Sequence, residues 1–509
     1  MDHPESIRAI ELNNMSFAYE SGGYAALEHV TLHAEQGEWI AIAGRSGSRK
    51  STLAQLLSGY LPRTGGGVRS GELLVGGIDP AVSRVSLIAE RIGVVFQDPD
   101  AQLVQGRVED EVAFGPENLC CPPDEIELRV AAALEAVDLP ERRMDSVHLL
   151  SGGGRQRIAI ASVLSLETPI LVLDEATASL DASARQRLLS LLHKLHQEGR
   201  TIVTLSGRID ELAQTAPRMI VLSGGSVVMD ASGEMLLEER RSELEQMGLL
   251  PFKSATAAEQ PSIAEQYSKA EQSASKSTSQ TGQALLDVRG LDFTYAHAGH
   301  KVLQNVSATL HTGEWCLLCG ENGSGKTTLS RLLIGLLSAP KGTIWWQGKD
   351  ISKWSPYERA EEIGYVFQEP EQQFVCSTVR DELLYGPRMS TSFSSGDELS
   401  DHLHQRGQRM LEMIGLQGKE QTSPYLLSGG EKRLLNAASI FMTPKKLYIL
   451  DEPTAGMDYA GADKLSAMCR QAVAEGASVI IITHEPERFR HEAVVRWNIE
   501  NHRLFIHNR

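Results

Sequence analysis

Cysteine is scarce and unpatterned, six in 509 residues with no disulfide framework. Cys316 and Cys319 form a C-x-x-C, but they sit in the apolar run Trp315-Cys316-Leu317-Leu318-Cys319, which feeds a glycine loop. No second pair stands at zinc spacing, so buried strand cysteines are expected. Basic residues are also in the minority, 49 Lys and Arg against 66 Asp and Glu, for a formal net charge of -17. That argues against a dedicated nucleic-acid binder, because phosphate contacts call for basic surface. It leaves a basic protein partner open. No apolar run approaches the roughly 18 residues of a membrane helix; stretches such as Val479-Ile480-Ile481-Ile482 read as buried strands. Met1-Asp2-His3-Pro4-Glu5 has neither the basic nor the apolar region of a signal peptide. The expectation is a chain that stays in the cytosol and borrows any membrane role from a partner. Its 41% hydrophobic and 23% charged residues are ordinary for globular protein, and its length calls for two or more domains.

What is present is a repeat. Gly37-Glu38-Trp39 recurs as Gly313-Glu314-Trp315, and Val95-Phe96-Gln97-Asp98-Pro99 as Val366-Phe367-Gln368-Glu369-Pro370. Leu150-Ser151-Gly152-Gly153 recurs as Leu427-Ser428-Gly429-Gly430, and Leu173-Asp174-Glu175 as Leu450-Asp451-Glu452, at a nearly constant, domain-sized spacing. The predicted organisation is one domain over 1–252, a Ser/Gln-rich tether over 253–284, and a second domain over 285–509. The tether has too few aliphatic residues to fold alone. In each half alternating strands come first (Ile7 to Ala34; Leu286 to Leu310), then a buried strand and a glycine loop opening a helix. A polar, helix-rich stretch and alternating strands and helices follow. That order predicts α/β domains on a parallel sheet, each with an antiparallel β subdomain and a helical subdomain.

Gly320-Glu321-Asn322-Gly323-Ser324-Gly325-Lys326-Thr327-Thr328 is a complete phosphate loop (P-loop) of the form G-x-x-x-x-G-K-[ST], between a predicted strand and a helix over Leu329–Leu337. Its backbone N–H groups can turn toward phosphate, Lys326 can reach the β and γ oxygens, and Thr327 can coordinate Mg²⁺. The first half has Gly44-Arg45-Ser46-Gly47-Ser48-Arg49-Lys50-Ser51-Thr52, with Arg49 where the last glycine belongs. A side chain there adds a Cβ and a φ restriction close to phosphate. The expectation is a loop that still holds nucleotide, but in altered geometry.

Ile170-Leu171-Val172-Leu173-Asp174-Glu175 and Leu447-Tyr448-Ile449-Leu450-Asp451-Glu452 are strands ending in two acids. Asp174 and Asp451 can hold Mg²⁺ through water, and Glu175 and Glu452 can polarise an attacking water.

With these residues in place the chain resembles the ABC ATPase family, over both halves almost end to end, which implies two tandem P-loop NTPase domains. Leu427 to Glu431 (LSGGE) resembles the family signature and Leu150 to Gly154 (LSGGG) a variant of it. The resemblance implies that two cassettes pair head to tail within one chain, as a pseudo-heterodimer. Each ATP then lies between the loops of one cassette and Ser151, Gly153 or Ser428, Gly430 of the other. It implies that Tyr19 and Tyr295 stack on adenine, and that Gln97 and Gln368 sense the metal and link to a transport subunit. Ser179-Leu180-Asp181 and Gly456-Met457-Asp458 would couple the two sites. His484 would be the switch histidine on the γ-phosphate, a position occupied in the first half by Gly207. The site built on Lys326, Thr327, Asp451, Glu452 and His484 is therefore expected to hydrolyse, and the one built on Lys50, Ser51, Asp174, Glu175 and Gly207 mainly to bind.

Gln97-Asp98-Pro99-Asp100-Ala101-Gln102 and Gln368-Glu369-Pro370-Glu371-Gln372-Gln373, followed by Glu111 to Asn118 and Glu382 to Pro387, resemble the ATPases of energy-coupling-factor (ECF) importers. That family implies acidic segments facing basic coupling helices of a transmembrane subunit, together with a small substrate-binding membrane subunit. It implies a place at the cytoplasmic face of the membrane and a vitamin, vitamin precursor or metal ion as solute. Fused twin cassettes resemble the ATPases of hydroxymethylpyrimidine/thiamine importers. A twin-cassette ABC protein acting on ribosomes would carry a long, charged, helical linker. A fused sugar-importer ATPase would lack the paired acidic strings.

Overall fold

The structure is a computed structural model that describes residues 8–20, 25–178, 180–251, 283–295, 301–389, 397–489, 492 and 495–508. Ser179, and the expected tether except for its last two residues, lie outside them. The chain divides into two compact units with the boundary at Leu250 and Pro251.

In the first unit, β1 (Arg8–Ala18), β2 (Ala25–Glu35) and β4 (Val68–Val75) form an antiparallel sheet in the order β2-β1-β4. Ile10, Leu12, Met15 and Phe17 of β1 face the core, the alternation of a half-buried strand. A second sheet runs β5-β6-β7-β3-β8-β9, from β3 (Trp39–Ala43), β5 (Ile92–Val95), β6 (Ile170–Asp174), β7 (Thr201–Ser206), β8 (Arg218–Ser223) and β9 (Ser226–Ser232). All its pairings are parallel except β8 with β9. Strands β3, β5, β6 and β7 are buried at every residue, and β3, β5 and β6 up to Asp174 read as near-continuous apolar runs. Between β5 and β6 come the helices Val108–Asn118, Pro123–Ala136 and Gly152–Leu164, the expected helical region.

The second unit repeats the plan. Here β10 (Ala284–Phe293), β11 (Leu303–His311), β13 (Ile344–Trp346) and β14 (Lys349–Asp350) form the antiparallel sheet, in the order β11-β10-β13-β14. The mainly parallel sheet runs β15-β16-β17-β12-β18-β19. Its strands are β12 (Trp315–Gly320), β15 (Ile363–Val366), β16 (Leu447–Asp451), β17 (Ser478–Ile482), β18 (Val495–Glu500) and β19 (Arg503–Asn508). Cys316 and Cys319 are buried in β12, as expected of strand cysteines. Helices Val379–Met389, Asp397–Ile414 and Gly429–Phe441 form the helical region.

Two local expectations are corrected. The phosphate-loop helix spans Lys326–Leu333 rather than Leu329–Leu337, because the chain turns at Gly335, whose φ is +80°. The antiparallel sheets also draw strands β4, β13 and β14 from beyond the phosphate loop. Those segments are short or glycine-broken, as in Val68-Arg69-Ser70-Gly71-Glu72, and carry little alternation of their own.

Candidate functional site

In each unit the phosphate loop leaves the central strand (β3, β12) and opens a helix, Lys50–Leu57 or Lys326–Leu333. The lysine curls over its own loop: Lys50 Nζ donates to Gly44 O (2.6 Å), and Lys326 Nζ to Gly320 O and Glu321 O (2.8 Å each). Gly325 precedes its helix in the left-handed region, at φ 110° and ψ 7°. A Cβ there would lie 2.8 Å from Leu303 Cδ2 and 3.0 Å from Val302 O. Arg49 adopts the same region, at φ 77° and ψ 25°, with its side chain exposed. The turn is therefore preserved rather than rebuilt, at a cost of about 1–2 kcal/mol for a Cβ in that region.

Tyr19 and Tyr295 are placed alike. Each hydroxyl lies 3.0 Å from a phosphate-helix hydroxyl, Thr52 Oγ1 or Thr328 Oγ1. Each ring also packs edge-on against the preceding aromatic, Phe17 or Phe293. The side chains of Thr52 and Thr328, expected on nucleotide, thus anchor the aromatic beside the loop. Ser46, Ser48 and Gly47, like Asn322, Gly323 and Ser324, lie within the loop turns, and Ser324 Oγ is buried without a protein hydrogen-bond partner.

The strand-end acids differ between the units. Glu175 and Glu452 both take positive φ, 50° and 48°, and donate their backbone N–H across the sheet to Leu205 O and Ile482 O. Non-glycine residues in this region are uncommon, and they concentrate where surrounding structure over-determines them. Glu452 Oε2 lies 2.7 Å from His484 Nδ1, a pair almost wholly buried. Glu175 instead faces Lys50 Nζ at 3.7 Å and accepts from Gln97 Nε2 at 3.0 Å. A Cβ on Gly207 would meet Glu175 Oε1 at 3.3 Å, so Glu175 occupies the side where a histidine would enter.

Asp451 Oδ1 lies 3.5 Å from Thr327 Oγ1, and its Oδ2 accepts from the Tyr365 hydroxyl at 3.0 Å. Asp174 is hydrogen-bonded by Ser51, while its Oδ1 is buried without a partner. Burial, with repulsion from Glu175 second, pushes Asp174 up to about 7. Burial and then Glu452 push Asp451 up to about 6. The Tyr365 contact carried no sequence signal, because only the fold brings β15 beside β16.

Ser151 and Ser428 cap the signature helices, Gly152–Leu164 and Gly429–Phe441, with Gly153 and Gly430 in the first turn. Ser428 and Glu431 form a reciprocal capping box, and Lys419 Nζ holds Glu431 Oε1 at 2.6 Å. Gly154 has no side chain to return the bond, so Ser151 alone accepts, from Gly154 N at 3.2 Å.

The acidic strings are less free than their charge suggests. Asp98 caps a helical turn by accepting from Asp100 N, and Glu369 accepts from Gln372. Asp100 pairs with Arg155 of one signature helix, and Glu371 with Lys432 of the other, both at 2.5 Å. The buried Glu111 and Glu382 accept from the backbone of Val104 and Gln105, and of Val375 and Cys376. They shape the loop rather than face a partner. Gln368 follows β15 and is half-buried.

This arrangement suits ATP hydrolysis: a phosphate loop with a lysine, an acid pair at a strand end and, in the second unit, a histidine just past the adjoining strand β17. The ABC transporter family profile matches residues 27–178 and 303–455. An ABC transporter ATP-binding protein of Caldanaerobacter subterraneus subsp. tengcongensis is 32% identical over 505 residues, covering 94% of this chain and 87% of that protein. A Bacillus subtilis protein named HMP/thiamine import ATP-binding protein YkoD is 31% identical over 489 residues, covering 94% and 87%. The solved structure of CbiO1 from Clostridium perfringens, described as part of the ABC transporter complex CbiONQ, is 31% identical. It covers 47% of this chain and 95% of its own, with a TM-score of 0.41. The chain belongs to the ABC transporter family, as an ATPase that carries two of its ATP-binding domains.

Proposed function

We propose that this chain is the ATP-hydrolysing subunit of an ECF-type importer, driving uptake of a vitamin, vitamin precursor or metal ion. In this reading it docks at the cytoplasmic face of the membrane on a transmembrane coupling subunit, which in turn holds a small substrate-binding subunit. The named import role of the YkoD relative supports it. The observation that carries it is a set of exposed apolar side chains in the helical regions, repeated at matching positions: Val104, Phe114 and Leu149, and Val375, Tyr385 and Leu426. Apolar groups held in solvent at the same places in both halves fit a partner that contacts each half alike. The engaged acids Asp98, Asp100, Glu369 and Glu371 border the same segments.

ATP is used with Mg²⁺ in this reading. The donor sets suit a hard divalent cation: the buried Asp174 carboxylate, hydrogen-bonded by Ser51, and Asp451 Oδ1 near Thr327. Bound there, Mg²⁺ would neutralise phosphate charge, while the protein's own lysine and glutamate orient phosphate and water. The second half, with Glu452 aligned by His484, does most of the hydrolysis. The first half, with Glu175 held by Lys50 and Gln97, mainly binds.

Co-expression with a candidate coupling subunit, followed by purification in detergent, tests the docking. The Phe114→Ser/Tyr385→Ser variant should lose co-purification while the isolated chain keeps its ATPase rate. Unimpaired co-purification of that variant would count against this face.

A further inference from the structure

We propose that Tyr365, backed by Ser330, is a positioning residue that fixes the carboxylate of Asp451, and that the first half lacks this device. This rests on the reading above, in which Asp451 faces Mg²⁺. The Tyr365 hydroxyl donates to Asp451 Oδ2 at 3.0 Å, and Ser330 Oγ lies 3.0 Å behind the phenol oxygen. All three residues are buried, with Ser330 and Asp451 at 0% and 1% exposure. The Tyr365 ring is itself held edge-on by Phe367, at 4.7 Å between centroids.

A carboxylate on a strand end can rotate about its last torsion and exchange its two oxygens. With Oδ2 committed to the phenol, rotation is stopped and Oδ1 is the oxygen left facing Thr327 Oγ1. One hydrogen bond therefore selects which oxygen meets the cation, and a buried charge-assisted bond is strong enough to hold that choice. Elsewhere the two halves align closely: Ile363-Gly364-Tyr365-Val366 matches Ile92-Gly93-Val94-Val95, and Lys326-Thr327-Thr328-Leu329-Ser330 matches Lys50-Ser51-Thr52-Leu53-Ala54. The first half thus carries Val94 and Ala54 in place of the phenol and its support. Asp174 is left with one buried oxygen unpartnered. Both members of the pair are missing together, so the asymmetry extends beyond the loop and the switch position to the metal-facing acid.

The test uses the full chain with a non-hydrolysable ATP analogue, titrated with Mn²⁺ and followed by electron paramagnetic resonance. Wild type is expected to show two classes of bound Mn²⁺. Tyr365→Phe should weaken the tighter class by about 10- to 100-fold, the usual effect of removing a partner of a metal-ligating carboxylate. Ser330→Ala should weaken the same class by less. Nucleotide affinity measured in EDTA should stay unchanged in both, which a collapsed pocket would not allow. Unchanged Mn²⁺ affinity in Tyr365→Phe overturns the proposal, as does an equal loss of metal-free nucleotide affinity. Where Tyr365→Phe fails to fold, Ser330→Ala decides, and wild-type Mn²⁺ affinity there overturns it. Wild type that binds no Mn²⁺ at all instead removes the metal reading itself, and this proposal with it.

Discussion

His484 Nδ1 and Glu452 Oε2 lie 2.7 Å apart in a nearly solvent-free corner, whereas Glu175, at the same place in the first half, is held by Lys50 and Gln97. The imidazole engages one oxygen of the Glu452 carboxylate, Oε2. A carboxylate that faces an ammonium and an amide has both oxygens engaged.

The two glutamates should therefore contribute unequally. Glu452→Gln is expected to lower steady-state ATP hydrolysis by about 10² to 10³, the usual effect of removing one electrostatic group from a preorganised site. Glu175→Gln should lower it by much less. A phosphate-release assay on the purified chain checks the order, and the reverse ranking would refute the division of labour.

Arg49 holds a conformation that glycine takes without strain. Arg49→Gly should raise the stability of the first unit by about 1 kcal/mol and change nucleotide affinity at its loop. Thermal melting and nucleotide titration read both, and no change in either contradicts the strain argument. The converse, Gly325→Arg, drives a Cβ to 3.0 Å from Val302 O and 2.8 Å from Leu303 Cδ2. It should abolish most turnover, because Gly325 sits at φ 110°, further from the conformation that Arg49 holds at φ 77°.

The capping box at Ser428 is the device that Gly154 removes from the other signature helix. Glu431→Gly should cost about 0.5–2 kcal/mol at the start of helix Gly429–Phe441. Hydrogen exchange of the first-turn amides should then approach the rate seen after Ser151. Protection as strong as in wild type would show that the serine alone suffices.

The strand-end aspartates set a pH dependence. Asp174 at about 7 and Asp451 at about 6 both lie above the ordinary carboxylate value of 3.8. The folded protein therefore binds more protons than the unfolded chain between those values. The stability that these groups contribute is complete below about pH 4 and is lost as pH rises through about 6 and then 7. Without metal or nucleotide, the melting temperature should fall with rising pH more steeply in wild type than in the Asp174→Asn/Asp451→Asn variant. Equal slopes would contradict it.

Much of this was legible because the chemistry is local in the chain. A phosphate loop needs its glycines, lysine and hydroxyl within nine consecutive residues, and Gly320 to Thr328 can be read as such. Duplication made the departures at Arg49, Gly154 and Gly207 visible, since the second half supplies the reference. Buried parallel strands announced themselves as apolar runs in β6, β16 and β17. The strands after the phosphate loops did not, because β4 and β13 are short or glycine-broken and are stabilised by pairing with β1 and β10.

The sequence by itself determined the two α/β ATP-binding domains, their order and the unequal endowment of their sites. Only the tertiary structure decided what each side chain does with its charge. Tyr365 and Asp451 stand 86 positions apart and meet because β15 pairs with β16. Asp100 reaches Arg155, and Glu371 reaches Lys432, because the signature helix packs beside the post-glutamine turn. Contacts of that kind depend on which strands and helices become neighbours. Local spacing carries the ligand-binding motif, but the partner of a buried acid is chosen by packing.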